Sequence, residues 1–422
     1  MKLLKLSLKF IFIFIFPLSA KSQTKDLKYW FEIAKVANLN QKIQHLELEI
    51  LKEEKKEILS TVLPQISARA TFTELGKKSY YDNNGINNTN ELIGLKATQA
   101  IFSGFREFYG LSSFNHRILA QEQLIKAKEM DLLAQISQYY FQAQLHASRS
   151  KNFSELLQLS EDREKLLKSR VKIGRSRQTE LLSSQVQTAN YKSQRDQEKL
   201  QERDAKSNIL RICNISNDQL NSMILPSLEE NLGEVREKTF YLANIDSHPL
   251  LMQKKELVQS LEEEKKANQA TYSPVIDLEG NYLLKNSASS IPDPEWNLSL
   301  NLKLPLFEGG LTRAKVRESA LKMEQAYLEK TDFKEELIQQ INISHDRLME
   351  LNKQQKIYLE VVSINKKNTS EIKKEYSLGL VTSLEVMQAL NTYIQSLNDL
   401  SENTISWNLA LIKLKTMSGE NL

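Results

Sequence analysis

The residue types that usually carry out chemistry are few in this sequence and lie far apart. The five histidines stand at positions 45, 116, 146, 248 and 345, without the spacing that metal ligands show. Cys213 is the only cysteine, so the sequence offers no disulfide framework. It also contains no glycine-rich phosphate loop, nucleophile elbow or H-E-x-x-H motif. We therefore predict a protein that is not an enzyme, with no cofactor and no catalytic or metal-binding residues.

Two glutamates are notable for their positions. Glu180 follows Gly174 by six residues, and Glu385 follows Gly379 by the same interval. Each glycine stands alone between long stretches, where a helix that reverses needs a residue tolerating positive φ. A carboxylate just beyond such a turn lies at the start of the next helix, where the helix macrodipole favours negative charge. The residues alone therefore indicate two helix-start acids.

Long helices must position these turns. Residues 111–173, 175–225, 311–378 and 380–418 contain neither glycine nor proline and are rich in helix-forming residues. The third stretch would be roughly 100 Å long as a single helix. Apolar residues recur in it at heptad spacing, which predicts a left-handed coiled coil. Polar residues interrupt the heptad rows, which favours a seam shared among many helices.

The chain repeats itself at an offset of 205 residues, which indicates an internal duplication. Phe102-Ser103-Gly104 aligns with Phe307-Glu308-Gly309, and Gly174 aligns with Gly379. Each half is predicted to run helix, strand, strand, long helix, returning helix. In the first half we predict a helix at 26–60, strands at 65–75 and 92–102, and helices at 105–172 and 178–213. In the second half we predict a helix at 248–271, strands at 275–284 and 296–306, and helices at 310–376 and 383–417.

The last predicted strand carries the strongest pattern. From Trp296 to Leu306 every second residue is large and apolar, with polar residues between most of them. This alternation is typical of a strand with one apolar and one polar face. Eleven residues are also about the length that a tilted strand needs to cross a bilayer. We predict a membrane strand whose polar face lines water.

Four membrane strands per chain have a consequence for assembly. The smallest bacterial barrels have about eight strands, and an open barrel would leave backbone groups unpaired in lipid. The chain is therefore expected to associate, so that the number of strands is a multiple of four. The predicted inner faces are polar, for example at Arg69 and Glu279, which favours a water-filled interior.

The amino-terminal residues predict export. Lys2, Lys5 and Lys9 precede the apolar run 10–16 and an Ala20-x-Ser22 cleavage pattern, which together are typical of a secretory signal peptide. Removal of residues 1–22 would leave 53 basic and 53 acidic residues, a balance that does not favour nucleic acid as a partner. The predicted domains are a signal peptide (1–22), a first repeat (23–215), a linker (216–247) and a second repeat (248–422).

The motifs of both halves resemble the TolC-type outer membrane efflux proteins. The matching pieces are VLPQISARATF and YSPVIDLEGNY at the first strands, TQAIFSGFR and KLPLFEGGLTRA at the second strands, and RVKIGRSRQTELLSSQ and EYSLGLVTSLEVMQALNTY at the helical turns. The resemblance covers the whole mature chain. It implies a mainly α-helical homotrimer with a twelve-stranded membrane β-barrel that continues into a periplasmic α-barrel.

The resemblance also implies a function and partners. The chain would be the exit duct of a tripartite efflux or type I secretion system in the cell outer membrane, in contact with outer-membrane lipid. It would bind a periplasmic adaptor protein and serve an inner-membrane pump of the RND or ABC type. The resemblance further implies a gate at the helical tips, with Glu385, Gln388 and Glu180 as candidates, although Gln388 stands where the family has an acid. The adaptor-contact candidates are Ile173, Gly174, Tyr376, Leu378, Gly379 and Leu380.

Aromatic residues near the strand ends suit the two girdles of a membrane barrel. Trp296 and Tyr282 are the candidates at the loop end, with Tyr80 and Tyr81 nearby, and Phe102 and Phe307 are the candidates at the opposite end. Ordinary strand aromatics are the simpler interpretation. The alternative for the whole chain is a periplasmic coiled-coil adaptor or scaffold without a membrane-spanning barrel. That alternative explains the helices but not four alternating strands.

Overall fold

A computed structural model describes residues 26–74, 89–228, 233–286 and 294–420. The predicted signal peptide and the girdle candidates Tyr80 and Tyr81 lie outside the described residues. The elements of the first half are α1 (Leu27–Ala37), α2 (Leu39–Val62), β1 (Gln65–Glu74), β2 (Thr89–Phe102), α3 (Arg106–Lys172) and α4 (Gln178–Ile212). Those that follow are α5 (Lys238–Ala243), α6 (Pro249–Gln269), β3 (Val275–Asn286), β4 (Glu295–Lys303), α7 (Leu311–Ser377) and α8 (Ser383–Met417).

The helices α3 and α7 dominate the molecule. Each has 67 residues, or roughly 100 Å at 1.5 Å per residue. α3 follows β2 and α7 follows β4, and the residue before each helix lies in the left-handed region: Phe105 with φ 64° and Gly310 with φ 87°. The preceding glycines, Gly104 and Gly309, also have positive φ. Two consecutive left-handed residues thus turn each strand into its helix.

The first predicted helix is interrupted where the sequence pattern showed no break. Asn38 has ψ 130° and ends α1, and its side chain accepts hydrogen bonds from the backbone N–H groups of Asn40 and Gln41. This is an N-cap, which satisfies two of the donors that a helix start leaves unpaired. The prediction of one helix over 26–60 was therefore wrong, because the cap at Asn38 starts a separate helix.

The four strands form one antiparallel sheet in the order β1-β2-β3-β4. Trp296 pairs with Tyr282, and Leu300 pairs with Leu278. On the other face Ser299 pairs with Glu279, which in turn pairs with Thr98. One face is thus largely apolar and the other polar. Among the residues that the structure describes, β1 and β4 each have a sheet partner on one side only.

The strand predicted over 296–306 is shorter in the structure. It ends at Lys303, two residues before Pro305, which has no backbone N–H with which to continue a ladder. Leu304 and Leu306 nevertheless remain exposed beyond the strand end. The apolar alternation therefore extends further than the hydrogen-bonded strand.

The helices pack around α3 and α7. Along its length α3 packs against α2, α4, α6 and α8, while α7 packs against α6 and α8. The largest buried cluster joins α1 to α3, α4 and α8 around Trp30 and Ile136. Cys213 ends α4 within this cluster and is fully buried, and burial raises the pKa of its thiol to about 11. No helix in the described ranges is long and apolar enough to cross a membrane.

Candidate helical tips and strand faces

The turn after α3 is a Schellman motif, which explains its lone glycine. Gly174 has φ 71°, its N–H donates to the Val171 carbonyl at 3.0 Å, and the Arg175 N–H donates to the Arg170 carbonyl at 2.8 Å. These two bonds satisfy carbonyls that the helix end leaves unpaired. A Cβ at Gly174 would meet no atom within 4 Å, so the positive φ alone requires glycine.

The turn after α7 repeats this geometry. Gly379 has φ 75°, its N–H donates to the Tyr376 carbonyl at 3.0 Å, and the Leu380 N–H donates to the Glu375 carbonyl at 3.0 Å. A Cβ here would also meet no atom within 4 Å. The two tips are therefore built alike, at the offset of 205 residues seen in the sequence.

The second tip continues into a capping box. The backbone N–H of Thr382 donates to Glu385 Oε2 at 2.6 Å and the Thr382 hydroxyl donates to the same oxygen at 2.8 Å, while the Glu385 N–H donates to Thr382 Oγ1 at 3.4 Å. These donors, first the backbone and then the hydroxyl of Thr382, lower the pKa of the exposed Glu385 carboxyl below its ordinary value. Glu385 is thus a helix-start acid, as its position in the sequence indicated.

The first tip lacks this box. Arg177 is the N-cap of α4 and makes no side-chain capping bond. The Ser176 hydroxyl instead donates to the exposed Glu180 carboxylate. Gln388 is exposed. Its backbone carbonyl accepts a hydrogen bond from the Thr392 hydroxyl at 3.1 Å. The three gate candidates are therefore all exposed near the tips, but only Glu385 takes part in a capping box.

The tip residues expose apolar surface. Ile173, Leu378 and Leu380 are 64 %, 73 % and 72 % exposed, and Tyr376 beside them is also exposed. The first tip is in addition strongly basic. Residues 165–177 contain six Lys or Arg residues and no acid, whereas residues 371–385 carry both signs. The two tips thus share a backbone geometry and differ in charge.

Contacts between the two helical hairpins, α3–α4 and α7–α8, lie away from the tips. The Tyr191 hydroxyl donates to Asn391 Oδ1 at 2.6 Å, and the Asn152 amide donates to Asn398 Oδ1 at 2.9 Å. Arg149 is 2.7 Å from Glu402 in an ion pair. Buried side chains from α3, α4 and α8, including Leu156 and Ile394, pack around these polar links. The two hairpins are therefore joined by a mixed polar and apolar contact that lies away from the tips.

The strand faces separate apolar from polar residues. Trp296 and the leucines at 298, 300 and 302 are all more than half exposed. On the opposite face Lys96 forms an ion pair with Glu279 at 3.0 Å, and the Asn281 amide donates to Asn297 at 3.0 Å. An exposed apolar band on one face and polar pairs on the other is the arrangement of a membrane strand with a wet interior.

The girdle candidates lie at two levels of the sheet. Trp296 pairs with Tyr282 near the loop end, and Phe102 pairs with Ile276 near the helix end, about 20 Å further along the strand. Phe307 is exposed beyond the end of β4. Sequence reasoning missed Phe105 and Phe108, whose rings form a chain with Phe102 at centroid distances of 5.4 and 6.1 Å. The spacing of three residues in FSGFREF was the signal that could have found them.

No cluster of residues that could hold a metal ion occurs in the part of the chain that the structure describes. Two of the histidines link helices. His116 lies 2.8 Å from Glu256 and His146 lies 2.6 Å from Glu198, and these pairs link α3 to α6 and to α4. His248 is the N-cap residue of α6, which agrees with the start of the helix predicted over 248–271.

One protein family matches the carboxy-terminal part of the chain. Residues 243–420 match the family described as Outer membrane efflux protein. The outer membrane efflux protein BepC of Brucella suis biovar 1 (strain 1330) is 18% identical over 313 residues, which cover 72% of this chain and 67% of BepC.

Solved structures share the fold over almost the whole chain. CusC has a TM-score of 0.80 at 15% identity and covers 94% of this chain and 93% of its own. The CmeC outer membrane channel of Campylobacter jejuni has a TM-score of 0.82 at 13% identity, covering 94% and 86%. The MtrE outer membrane channel of Neisseria gonorrhoeae, in its open state, has a TM-score of 0.79 at 15% identity, covering 94% and 89%. The carboxy-terminal part of the chain thus matches the outer membrane efflux protein family, and the chain shares the fold of solved outer membrane channels.

Proposed function

We propose that three copies of this chain form the outer-membrane exit duct of a tripartite efflux or type I secretion system. The observation that carries the proposal is a four-stranded sheet with one apolar face and two open edges, continued directly by two helices of 67 residues. The sheet would lie in the outer membrane, and the helices would extend into the periplasm. Cargo would pass through the interior without chemical change.

The open edges support the trimer. In lipid, the unpaired backbone groups of β1 and β4 would each cost several kcal/mol. Pairing β1 of one copy with β4 of the next removes this cost and closes a ring. Three copies give twelve strands, and the trimer is the state that the family's architecture supplies. The polar face, with the Lys96–Glu279 pair, then lines the lumen.

The helical tips are the proposed periplasmic end of the duct. The exposed residues Ile173, Leu378 and Leu380 would contact the adaptor, together with Gly174, Gly379 and Tyr376. Six basic residues in 165–177 favour an acidic surface on the partner at the first tip. An inner-membrane pump of the RND or ABC type would deliver the cargo to this end.

The gate is proposed at the second tip. Threefold symmetry would bring three Glu385 carboxylates around one axis, where they would attract cations. Opening would move the hairpins α3–α4 and α7–α8 against each other and would strain the Tyr191–Asn391 link. Gln388 is neutral, so a second acidic ring one turn further along the helix is not expected.

Membrane fractionation tests the proposal against the adaptor alternative. We expect the protein in the outer-membrane fraction, as a species that migrates as a trimer on unheated gels and as a monomer after boiling. The purified trimer should also form conducting channels in planar bilayers. A freely soluble periplasmic protein without channel activity would refute the duct and favour the coiled-coil adaptor.

A further inference from the structure

Four helices stand side by side next to the sheet, and the two outermost of them are α2 and α7. In this wall α2 packs against α3, α3 packs against α6, and α6 packs against α7. Helix α2 leads directly into the edge strand β1, and α7 follows the other edge strand, β4. The edges of the helical wall therefore lie on the same two sides of the chain as the edges of the sheet.

Both outermost helices expose an apolar stripe. The stripe on α2 consists of four residues that are each more than half exposed, at spacings of four, three and four: Leu39, Ile43, Leu46 and Ile50. The stripe on α7 consists of Leu321 and Leu328, which are seven residues apart and also more than half exposed. These spacings place the members of each stripe on one side of its helix. Leu48, on the other side of α2, is buried.

Each stripe lies between a base and an acid. The base comes first and the acid last in both helices: Lys42 and Glu57 on α2, Arg317 and Glu335 on α7. All four residues are exposed, and none of them forms an ion pair within the described part of the chain. Because α2 runs towards the sheet and α7 runs away from it, the two helices present opposite charges at each end of their stripes.

The full set of charges on the two helices follows the same order. At the end nearest the sheet, residues 53–62 contain three acids and two bases, and residues 311–320 contain three bases and one acid. At the far end, residues 36–45 contain one lysine and no acid, and residues 329–338 contain four acids and two bases. The segments between them carry one net charge or none. The net charges of α2 and α7 are therefore opposite in sign at both ends.

The complementary residues also lie at similar distances from the sheet. At 1.5 Å per residue, Glu57 lies about 8 Å before the end of α2, and Arg317 lies about 9 Å after the start of α7. By the same measure Leu46 and Leu328 lie about 24 and 26 Å away, and the far base and the far acid lie about 30 and 36 Å away. The long side chains of lysine and glutamate can span the last difference.

We propose that α2 of each copy packs antiparallel against α7 of the next copy. The two apolar stripes would face each other, and the ion pairs Glu57–Arg317 and Lys42–Glu335 would form at the two ends of the contact. Pairing β1 with β4 of the next copy would bring these helices together, since each adjoins its edge strand directly. The inference rests on the proposed trimer and deepens it, because it names the residues that join the copies outside the membrane and fix the register of the helices.

Disulfide cross-linking of the purified full-length protein tests the inference. The variant pairs Leu46→Cys with Leu328→Cys, and Ile50→Cys with Leu321→Cys, place one thiol on each helix. We expect oxidation with copper phenanthroline to yield covalent dimers and trimers on boiled, non-reducing gels, and dithiothreitol to return them to monomers. The native chain should remain a monomer on the same gels, since Cys213 is fully buried.

Matched controls show whether the contact joins unlike helices. Leu46→Cys alone and Leu328→Cys alone should give no cross-link. Leu46→Cys with Glu329→Cys should also give none, because Glu329 faces a groove beside Gln253 and Ser260 of its own chain. A covalent dimer from a single variant would show that like helices pair, which would overturn the proposal. Absence of cross-links in a conducting trimer would overturn it and leave the duct intact, whereas a soluble monomer without cross-links would overturn both.

Charge exchange tests the ion pairs. Arg317→Glu should lower the urea concentration at which the trimer dissociates, because it places an acid opposite Glu57. Adding Glu57→Arg should return the midpoint towards the native value. Lys315→Glu is the matched control and should change the midpoint little, since Lys315 is two residues, or about 200°, away from Arg317 around the helix. Equal losses in Arg317→Glu and Lys315→Glu, or no recovery in the double variant, would refute the pairing of Glu57 with Arg317.

Discussion

Arginine substitutions at two adjacent residues of β4 test which face of the strand contacts lipid and which lines the lumen. Leu300 lies at the centre of the strand, is 68 % exposed and pairs with Leu278 on the apolar face. Ser299 is its neighbour on the polar face and pairs with Glu279. The variants Leu300→Arg and Ser299→Arg therefore add the same side chain at the same depth, to opposite faces.

The expected difference is large. An arginine facing lipid near the bilayer midplane costs roughly 2–4 kcal/mol in a membrane β-barrel, so three copies would cost roughly 6–12 kcal/mol per trimer. That is comparable with the whole stability of a typical domain, about 5–15 kcal/mol. Ser299→Arg should change the stability little, because the guanidinium can be hydrated and lies near the Glu279 carboxylate.

Trimer stability on unheated gels, measured against urea concentration, gives the readout. We expect Leu300→Arg to be depleted from the outer membrane and to lose its trimer at much lower urea, while Ser299→Arg stays close to the native protein. Ser299→Arg should also shift ion selectivity towards anions, since it adds one positive charge per chain to the lumen. Equal behaviour of the two variants, whether both stable or both unstable, would refute the assignment of the faces.

Further predictions concern the tips. Gly379→Ala should destabilise the second hairpin by about 1 kcal/mol because of its positive φ, whereas Gly110→Ala inside α3, where a Cβ would meet Ile58 at an ordinary 3.6 Å, should be neutral or stabilising in thermal unfolding. Glu385→Gln should reduce cation selectivity and divalent block in single-channel recordings, and unchanged values would exclude the gate. The Glu385 capping box should contribute fully above the ordinary carboxyl pKa and be lost as pH falls through the lowered folded value, a pH dependence of unfolding that Glu385→Gln removes. Arg175→Gln with Arg177→Gln should weaken adaptor binding and reduce its salt dependence in surface plasmon resonance, and an unchanged salt dependence would argue against an acidic partner surface at this tip.

The long helices could be predicted closely from sequence because their limits depend on local chemistry. The segment predicted over 383–417 coincides with α8, and the one predicted over 310–376 differs from α7 by one residue at each end. A long segment without glycine or proline predicts a helix, and the single glycine that follows it predicts where the helix ends. Both signals lie in the local sequence. The same holds for the alternation in β4, except where Pro305 ends the hydrogen bonding before the apolar pattern stops.

The features that the sequence did not reveal depend on tertiary contacts. Asn38 breaks a helix because its side chain both caps α2 and reaches Ile212, 174 residues away. Residues 238–247, placed in the predicted linker, fold into α5 and a short 3₁₀ helix, and Tyr241 of α5 is buried against α7. No local pattern distinguishes such a segment from a linker, since only the packing against α7 makes it ordered.

The cap and gate interpretations of Glu385 are compatible, because the capping box uses one carboxylate oxygen. Oε2 accepts from both Thr382 donors, while Oε1 has no hydrogen-bond partner among the residues that the structure describes. A capped carboxylate is held in one orientation, so a trimer would present three fixed charges and not three freely rotating ones. Glu180 has no comparable box, and its tip is surrounded by basic residues that would offset its charge. Any cation preference at the periplasmic end should therefore arise from the second tip alone.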